Sequence, residues 1–228
     1  MSMAYINRAM EATFKRMAQE FSVILLTGPG QVGKTTMLKR LAGAEGVNRE
    51  YVTLDDITER EMAKNDPKLF LQLHKPPVFI DEVQYAPELF PYIKIYVDEH
   101  QQAGAFWLTG SQIFKLMDGV QESLAGRVGL LHMSPLSQAE ACGYPSEPFT
   151  VELERLLTRS KAVAPASIQD VFERIWRGGM PAIVSGVKKE QAAVYSSYIS
   201  TYIDRDVKEI ADRVDSFKFL NFVTVVAA

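Results

Sequence analysis

Short apolar runs that end in small or polar residues recur along the chain. They span residues 21–27, 51–56, 76–82, 105–112 and 128–133. Runs of this length, bounded by turn residues, are typical of strands buried on both faces, as in parallel sheets. Each run therefore predicts a strand, and the runs over 21–27 and 76–82 predict buried ones.

The segments between these runs carry the three- and four-residue spacing of amphipathic helices. Ahead of the first strand the spaced residues are Ile6, Met10, Phe14, Met17 and Phe21. Helix-start signals follow at Thr58–Glu61 and Ser137–Glu140, both capping boxes, and at Asp66-Pro67, where proline takes the first helical position. Strands alternating with helices predict an α/β fold, a parallel sheet with helices on both faces.

The strand pattern stops near residue 143. Helices are predicted near 152–159, over 167–177 and from 188 to about 212, with a break at Gly178-Gly179-Met180-Pro181. The chain therefore divides into an α/β domain over residues 1–143 and a small all-helical region over residues 144–228.

The sequence that follows the first strand fits the phosphate-loop pattern G-x-x-x-x-G-K-[ST] at every fixed position. Glycines let the backbone wrap around a phosphate, while the loop N–H groups and the next helix N-terminus supply positive potential. We expect Lys34 to reach the β- and γ-phosphates and the Thr35 hydroxyl to bind Mg²⁺. The expected nucleotide-binding residues are Gly28, Pro29, Gly30, Gln31, Val32, Gly33, Lys34, Thr35 and Thr36.

Two carboxylates end the predicted strand over residues 76–82. In phosphate-loop enzymes an acidic residue at a strand's carboxyl end holds the metal, which is the role we expect for Asp81. Glu82 is placed to act as the general base that polarises the attacking water. Active sites of open α/β sheets lie at the carboxyl ends of the strands, so the loop and this pair should meet.

A third polar cluster closes the strand over residues 105–112. Thr109, Ser111 and Gln112 are placed to sense the γ-phosphate or to orient the water, with Gln112 the candidate catalytic residue. The alternative is an ordinary turn with a helix cap at Ser111. Arg8, near the start of the first helix, could contact a nucleotide at the loop, but a solvated arginine is the favoured interpretation.

Composition limits the remaining classes of function. The chain has 228 residues, 47% hydrophobic content, a net charge of −3 and an estimated pI of 5.7, so no global basic field favours nucleic acid. One cysteine, Cys142, and three scattered histidines exclude an intrachain disulfide and a zinc spacing. No run has the length of a membrane span and no signal-peptide core is present, so a soluble, cytoplasmic protein is expected.

Several segments resemble a widespread prokaryotic family that joins an AAA-type ATPase domain to an uncharacterised C-terminal domain. The similar segments are 27–36, 79–84, 108–112, 123–127, 135–137, 178–181 and 202–207. The resemblance covers nearly the whole chain and implies an AAA-type fold with an additional central strand, with ATP and Mg²⁺ as cofactors. Family members are usually much longer, so we expect most of the C-terminal domain to be missing from this chain.

The resemblance also implies that Arg127 is an arginine finger or a phosphate sensor. A positioned arginine of this kind is worth roughly a thousandfold or more in phosphoryl transfer. The alternative for Arg127 is a structural salt bridge. A finger acting on a neighbouring subunit would require a homo-oligomer.

The leading functional hypothesis is Mg-dependent ATP hydrolysis that drives a conformational switch. A second is a nucleotide-binding regulatory switch with negligible turnover, which would have no need of a base at Glu82. A third is a nucleic-acid-associated ATPase, which the acidic balance does not favour.

Overall fold

The computed structural model describes residues 5–111, 123–144, 150–202 and 216–227. Gln112 lies outside these residues. The described part of the chain contains one five-stranded sheet, and every strand pairing in it is parallel. The strands are β1 (Val23–Thr27), β2 (Glu50–Thr53), β3 (Val78–Asp81), β4 (Phe106–Gly110) and β5 (Val128–His132).

The strand order is β2-β3-β4-β1-β5. β4 therefore lies between β1, which precedes the phosphate loop, and β3, which ends in Asp81. This is the additional central strand that the family resemblance implied, and the α/β fold class is confirmed. Because all pairings are parallel, the loop and Asp81 lie at the same edge of the sheet.

Helices cover the sheet on both faces, because successive side chains of each strand point to opposite sides. The helices of this domain are α1 (Met10–Glu20), α2 (Lys34–Ala44), α3 (Ile57–Asn65), α4 (Pro67–Leu73), α5 (Leu89–His100) and α6 (Gln138–Cys142). Ile24 and Leu26 of β1 pack with α1 and α2, whereas Val23 and Leu25 pack on the side of α3, α4 and α5.

The helix starts follow the predicted signals with one exception. Asp66 accepts from the N–H of Leu69 ahead of Pro67, and Ser137 with Glu140 forms a complete capping box. At α3, however, the cap is Asp56, whose carboxylate accepts from the N–H groups of Thr58 and Glu59. The prediction that Thr58 caps this helix is wrong, since the cap lies two residues earlier, at Asp56, and the helix begins at Ile57.

The regular secondary structure described in the C-terminal region is entirely helical. Its helices are α7 (Leu153–Ala162), α8 (Ile168–Arg177), α9 (Pro181–Val184), α10 (Gln191–Tyr202) and α11 (Ser216–Ala227). The predicted helix from 188 to about 212 starts at Gln191, and its part beyond Tyr202 lies outside the described residues. Among the described helices, none is both long enough and apolar enough to cross a membrane.

The turn between α8 and α9 packs against the α/β domain at Leu136. The N–H of Leu136 donates to the carbonyl of Gly179 at 2.8 Å, and a Cβ on Gly179 would lie 2.5 Å from the Leu136 carbonyl oxygen. Glycine at position 179 is therefore what permits this close backbone contact. Met180 and Ile183 are buried beside it, so the break between α8 and α9 is a packed junction.

Candidate active site

Backbone constraints shape the phosphate loop between β1 and α2. Gly28 has φ +141°, and a Cβ there would lie 2.2 Å from the carbonyl oxygen of Met133. Gly33 caps α2 with φ +98°, in the region that glycine adopts at no steric cost. The pattern's two fixed glycines thus have a structural cause: one allows close packing against Met133, and the other turns the chain into the helix.

Lys34 begins α2 and folds back over the loop. Its Nζ donates to the carbonyl oxygens of Gly28 at 2.8 Å and Pro29 at 2.9 Å, and the residue is 5% exposed. The ammonium is therefore held beside the backbone that would surround a phosphate. Together with the positive end of α2, it makes this loop suited to an anionic ligand.

Hydroxyl groups from three elements meet at the carboxylate of Asp81. Thr35 Oγ1 donates to it at 2.9 and 3.1 Å, Tyr51 donates to Oδ2 at 3.1 Å, and Thr109 donates to Oδ1. The structure thus brings together Thr35 and Asp81, the two expected metal ligands. Mg²⁺ takes oxygen ligands and usually only one or two of them from protein carboxylates, so this donor set fits the ion.

Sequence reasoning missed Tyr51. β2 pairs with β3 so that Thr53 is level with Asp81, and Tyr51, two residues earlier, faces the same side of the sheet. Burial, followed by the negative charge of Asp81, raises the pKa of Tyr51 to about 12. The phenol therefore remains a hydrogen-bond donor to Asp81 at neutral pH.

Glu82 follows β3 in the left-handed conformation, with φ 58° and ψ 45°. Its N–H donates to Thr109 Oγ1 at 3.2 Å, which ties the end of β3 to the end of β4. Its Oε2 accepts from the Gln84 amide at 2.5 Å and from Ser111 Oγ at 3.4 Å. A non-glycine residue in this conformation costs about 1–3 kcal/mol, and residues of this kind cluster at functional sites.

The polar residues at the end of β4 contact both carboxylates, and their roles in sensing the γ-phosphate or orienting the water stay predictions. Thr109 contacts Asp81 and the backbone of Glu82, and Ser111 contacts the Glu82 carboxylate. The predicted role of Gln112 is untested, because that residue is not among those described.

Arg8 is not solvated, so that expectation is wrong. Its side chain is 7% exposed and lies between the loop and α6: Nη1 donates to the Val32 carbonyl at 2.8 Å, Nη2 to the Ser134 carbonyl at 2.7 Å, and Nε to Glu140 at 3.0 Å. Although burial opposes it, hydrogen bonds from the N–H groups of Ser137 and Ala9 and from Arg8 lower the pKa of Glu140. The phosphate loop is thus braced by a buried ion pair.

Arg127 lies at the amino ends of the strands, at the opposite end of the sheet from the phosphate loop. It immediately precedes β5, whose first residue is level with Val23, whereas the loop follows Thr27 at the other end of β1. Five residues of strand separate the two levels by on the order of 15 Å. Arg127 instead forms a two-point ion pair with the exposed carboxylate of Asp98, at 2.5 and 3.1 Å, so the structure does not bring it to the loop of its own chain.

Comparison with known sequences gives two family matches. The profile of the AAA domain family matches residues 20–142, and that of a domain of unknown function matches residues 168–228. Uncharacterised proteins of Mycobacterium bovis and Mycobacterium tuberculosis are each 30% identical over 223 residues. That alignment covers 97% of this chain and 44% of each relative, so the chain spans less than half the length of these curated relatives.

Comparison with solved structures supports the same fold. A Walker-type ATPase of Pyrococcus abyssi matches with a TM-score of 0.53 and 15% identity, over 91% of this chain and 75% of that chain. The sequence profile match covers more than half of the chain and includes the loop, Asp81, Glu82 and the end of β4. The chain therefore belongs to the AAA domain family.

Proposed function

We propose that the protein binds ATP and hydrolyses it with Mg²⁺. The observation that carries this proposal is the contact between Thr35 and Asp81, 2.9 Å apart, with Glu82 beside them at the sheet edge that holds the phosphate loop. A nucleotide-binding loop, a pair of metal ligands and an adjacent carboxylate are the parts that γ-phosphoryl transfer to water requires.

The residues divide the work by their chemistry. Loop N–H groups and Lys34 hold the β- and γ-phosphates by charge and hydrogen bonds. Thr35 and Asp81 would hold Mg²⁺, which supplies neutralisation of the charge that develops on the phosphoryl oxygens. Glu82 accepts the proton of the attacking water, while Thr109 fixes the Glu82 backbone by accepting from its N–H.

The switch hypothesis is supported by the closeness of the loop to the first residue of α9 and by a chain of hydrogen bonds through Arg8. A Cβ on Gly33 would lie 4.0 Å from Cγ of Pro181, the first residue of α9. Arg8 contacts both the loop at Val32 and Ser134, close to Leu136, whose N–H donates to Gly179. A change in the loop conformation on nucleotide binding or hydrolysis would therefore shift the neighbouring start of α9.

Steady-state phosphate release with Mg-ATP tests the proposal. The parent protein should release phosphate, and Glu82→Gln should lower the rate by roughly a hundredfold or more while ATP binding is retained, because the amide keeps the shape but removes the base. Binding measured with a fluorescent ATP analogue separates the two properties. A parent that binds ATP without turnover supports the regulatory-switch alternative instead.

A parallel set of assays with added duplex and single-stranded DNA tests the nucleic-acid alternative. Stimulation of phosphate release by DNA, with a strong salt dependence, would favour it. An unchanged rate at every DNA concentration favours hydrolysis coupled to a protein conformational change.

A further inference from the structure

Gln84 is a buried polar residue that lies close to the proposed base, Glu82. It lies in a 3₁₀ turn over Val83–Tyr85, directly after Glu82, and is 6% exposed. Its Nε2 donates to Glu82 Oε2 at 2.5 Å and to Ser111 Oγ at 3.3 Å. An amide nitrogen can only donate, so Nε2 rather than Oε1 must face the carboxylate.

The backbone conformation of Glu82 makes this contact. Side chains two residues apart do not meet on a regular helix or on one face of a short turn. The left-handed Glu82, with φ 58°, turns the chain so that the side chain of Gln84 meets the carboxylate. The unusual backbone and the amide contact thus belong to one arrangement, in which Oε2 of Glu82 accepts from both Gln84 and Ser111.

Packing alone does not account for a glutamine at this position. Its Oε1 is buried and has no hydrogen-bond partner within the described residues. A buried polar atom without a partner destabilises the folded state, and an apolar side chain of similar size would avoid that cost. What the amide provides that an apolar residue cannot is the hydrogen bond to Glu82.

We infer that Gln84 is a positioning residue for Glu82. Its amide holds Oε2 of the carboxylate in place with Ser111, so that the other oxygen, Oε1, is the one presented to the attacking water. This inference rests on the proposed hydrolysis, in which Glu82 is the base. Losing the restraint misplaces the base without changing the phosphate loop, and a misplacement of about 1 Å can lower a rate a hundredfold.

The test uses Gln84→Met, which keeps the volume but removes both donors, and Gln84→Glu, which keeps the shape but cannot donate to Glu82 as a carboxylate. Both should lower kcat roughly tenfold to a hundredfold while KM and the affinity for a fluorescent ATP analogue stay within about twofold of the parent. Gln72→Ala, at an exposed position on α4, is the matched control and should leave kcat unchanged. Circular dichroism confirms that each variant is folded.

A double-mutant cycle distinguishes positioning from general damage. If Gln84 acts through Glu82, then Gln84→Met should have little further effect on kcat when Glu82 is already Gln. Multiplied losses in the double variant, or full activity in both Gln84 single variants, would overturn the inference while leaving the proposed function standing. A parent protein that binds ATP and does not hydrolyse it would contradict both the proposed hydrolysis and the positioning role of Gln84.

Discussion

Nη1 of Arg8 donates a 2.8 Å hydrogen bond to the carbonyl oxygen of Val32, in the middle of the phosphate loop. The same guanidinium contacts Glu140 of α6 and the carbonyl of Ser134. Its planar fork donates in three directions at once, which a lysine ammonium on a flexible stem does not reproduce. The shape of the loop therefore depends on a residue that itself lies outside the phosphate-loop pattern.

The first prediction concerns this brace. Arg8→Lys should weaken ATP-analogue binding at least tenfold and lower the thermal midpoint, because one ammonium cannot donate to Glu140, the Val32 carbonyl and the Ser134 carbonyl at once. Arg16→Ala, at an exposed position of α1, is the control and should change neither quantity. Unaltered nucleotide affinity in a folded Arg8→Lys protein would show that the loop holds its shape unaided.

The second prediction concerns pH. The pKa of Glu140 is lowered in the folded protein, so its contribution to stability is present above the ordinary glutamate value of about 4.3 and is lost as the pH falls through the lowered value. Glu140→Gln should therefore be less stable than the parent at pH 7, and the gap between them should narrow below about pH 4. Urea unfolding across this range measures it, and a gap independent of pH would contradict the assignment.

Local patterns were sufficient to predict the parts of the site that one strand and its following loop provide. The phosphate loop, Asp81 and Glu82 each follow an apolar run, and a parallel sheet must place such ends together. Arg8 and Glu140 are 132 positions apart, so their pairing depends on how α1 and α6 pack rather than on any local signal. Nothing in the local sequence distinguishes Tyr51 from other strand residues. Its contact with Asp81 depends on the register of β2 on β3.

The third prediction is that Mg-ATP stabilises the fold through Lys34. A ligand that binds only the folded state adds about 2.7 kcal/mol at a hundred times its dissociation constant. The thermal midpoint should therefore rise with Mg-ATP, and Lys34→Ala should lose most of that rise, whereas Lys15→Ala, exposed on α1, should retain it. If the thermal midpoint of the folded parent does not change with Mg-ATP, the assignment of the loop as an ATP-binding site is wrong.

The fourth prediction concerns the proposed metal ligand Asp81 and its hydroxyl neighbour Tyr51. Asp81→Asn should raise the Mg²⁺ concentration needed for half-maximal phosphate release by about tenfold or more, because a charged oxygen ligand is lost. Tyr51→Phe removes only a hydrogen bond to Asp81 and should raise the required Mg²⁺ concentration a fewfold. Tyr92→Phe on α5 serves as the matched control, and chelation of Mg²⁺ should abolish release in every variant. Equal Mg²⁺ requirements in Asp81→Asn and parent would exclude Asp81 as a ligand.

The final prediction is that Arg127 acts on the γ-phosphate bound by a second copy of the chain. Its position at the amino edge of β5 places it too far from its own loop, and its ion pair with Asp98 lies at an exposed surface. Arg127→Ala and Lys34→Ala should each lose activity, and mixing them should restore part of it, because a mixed pair combines an intact loop on one copy with an intact arginine on the other. Asp98→Ala should raise specific activity at a given protein concentration, since it frees the guanidinium to leave its own surface. Activity that rises in strict proportion to protein concentration, with no rescue on mixing, would restrict Arg127 to the salt bridge with Asp98.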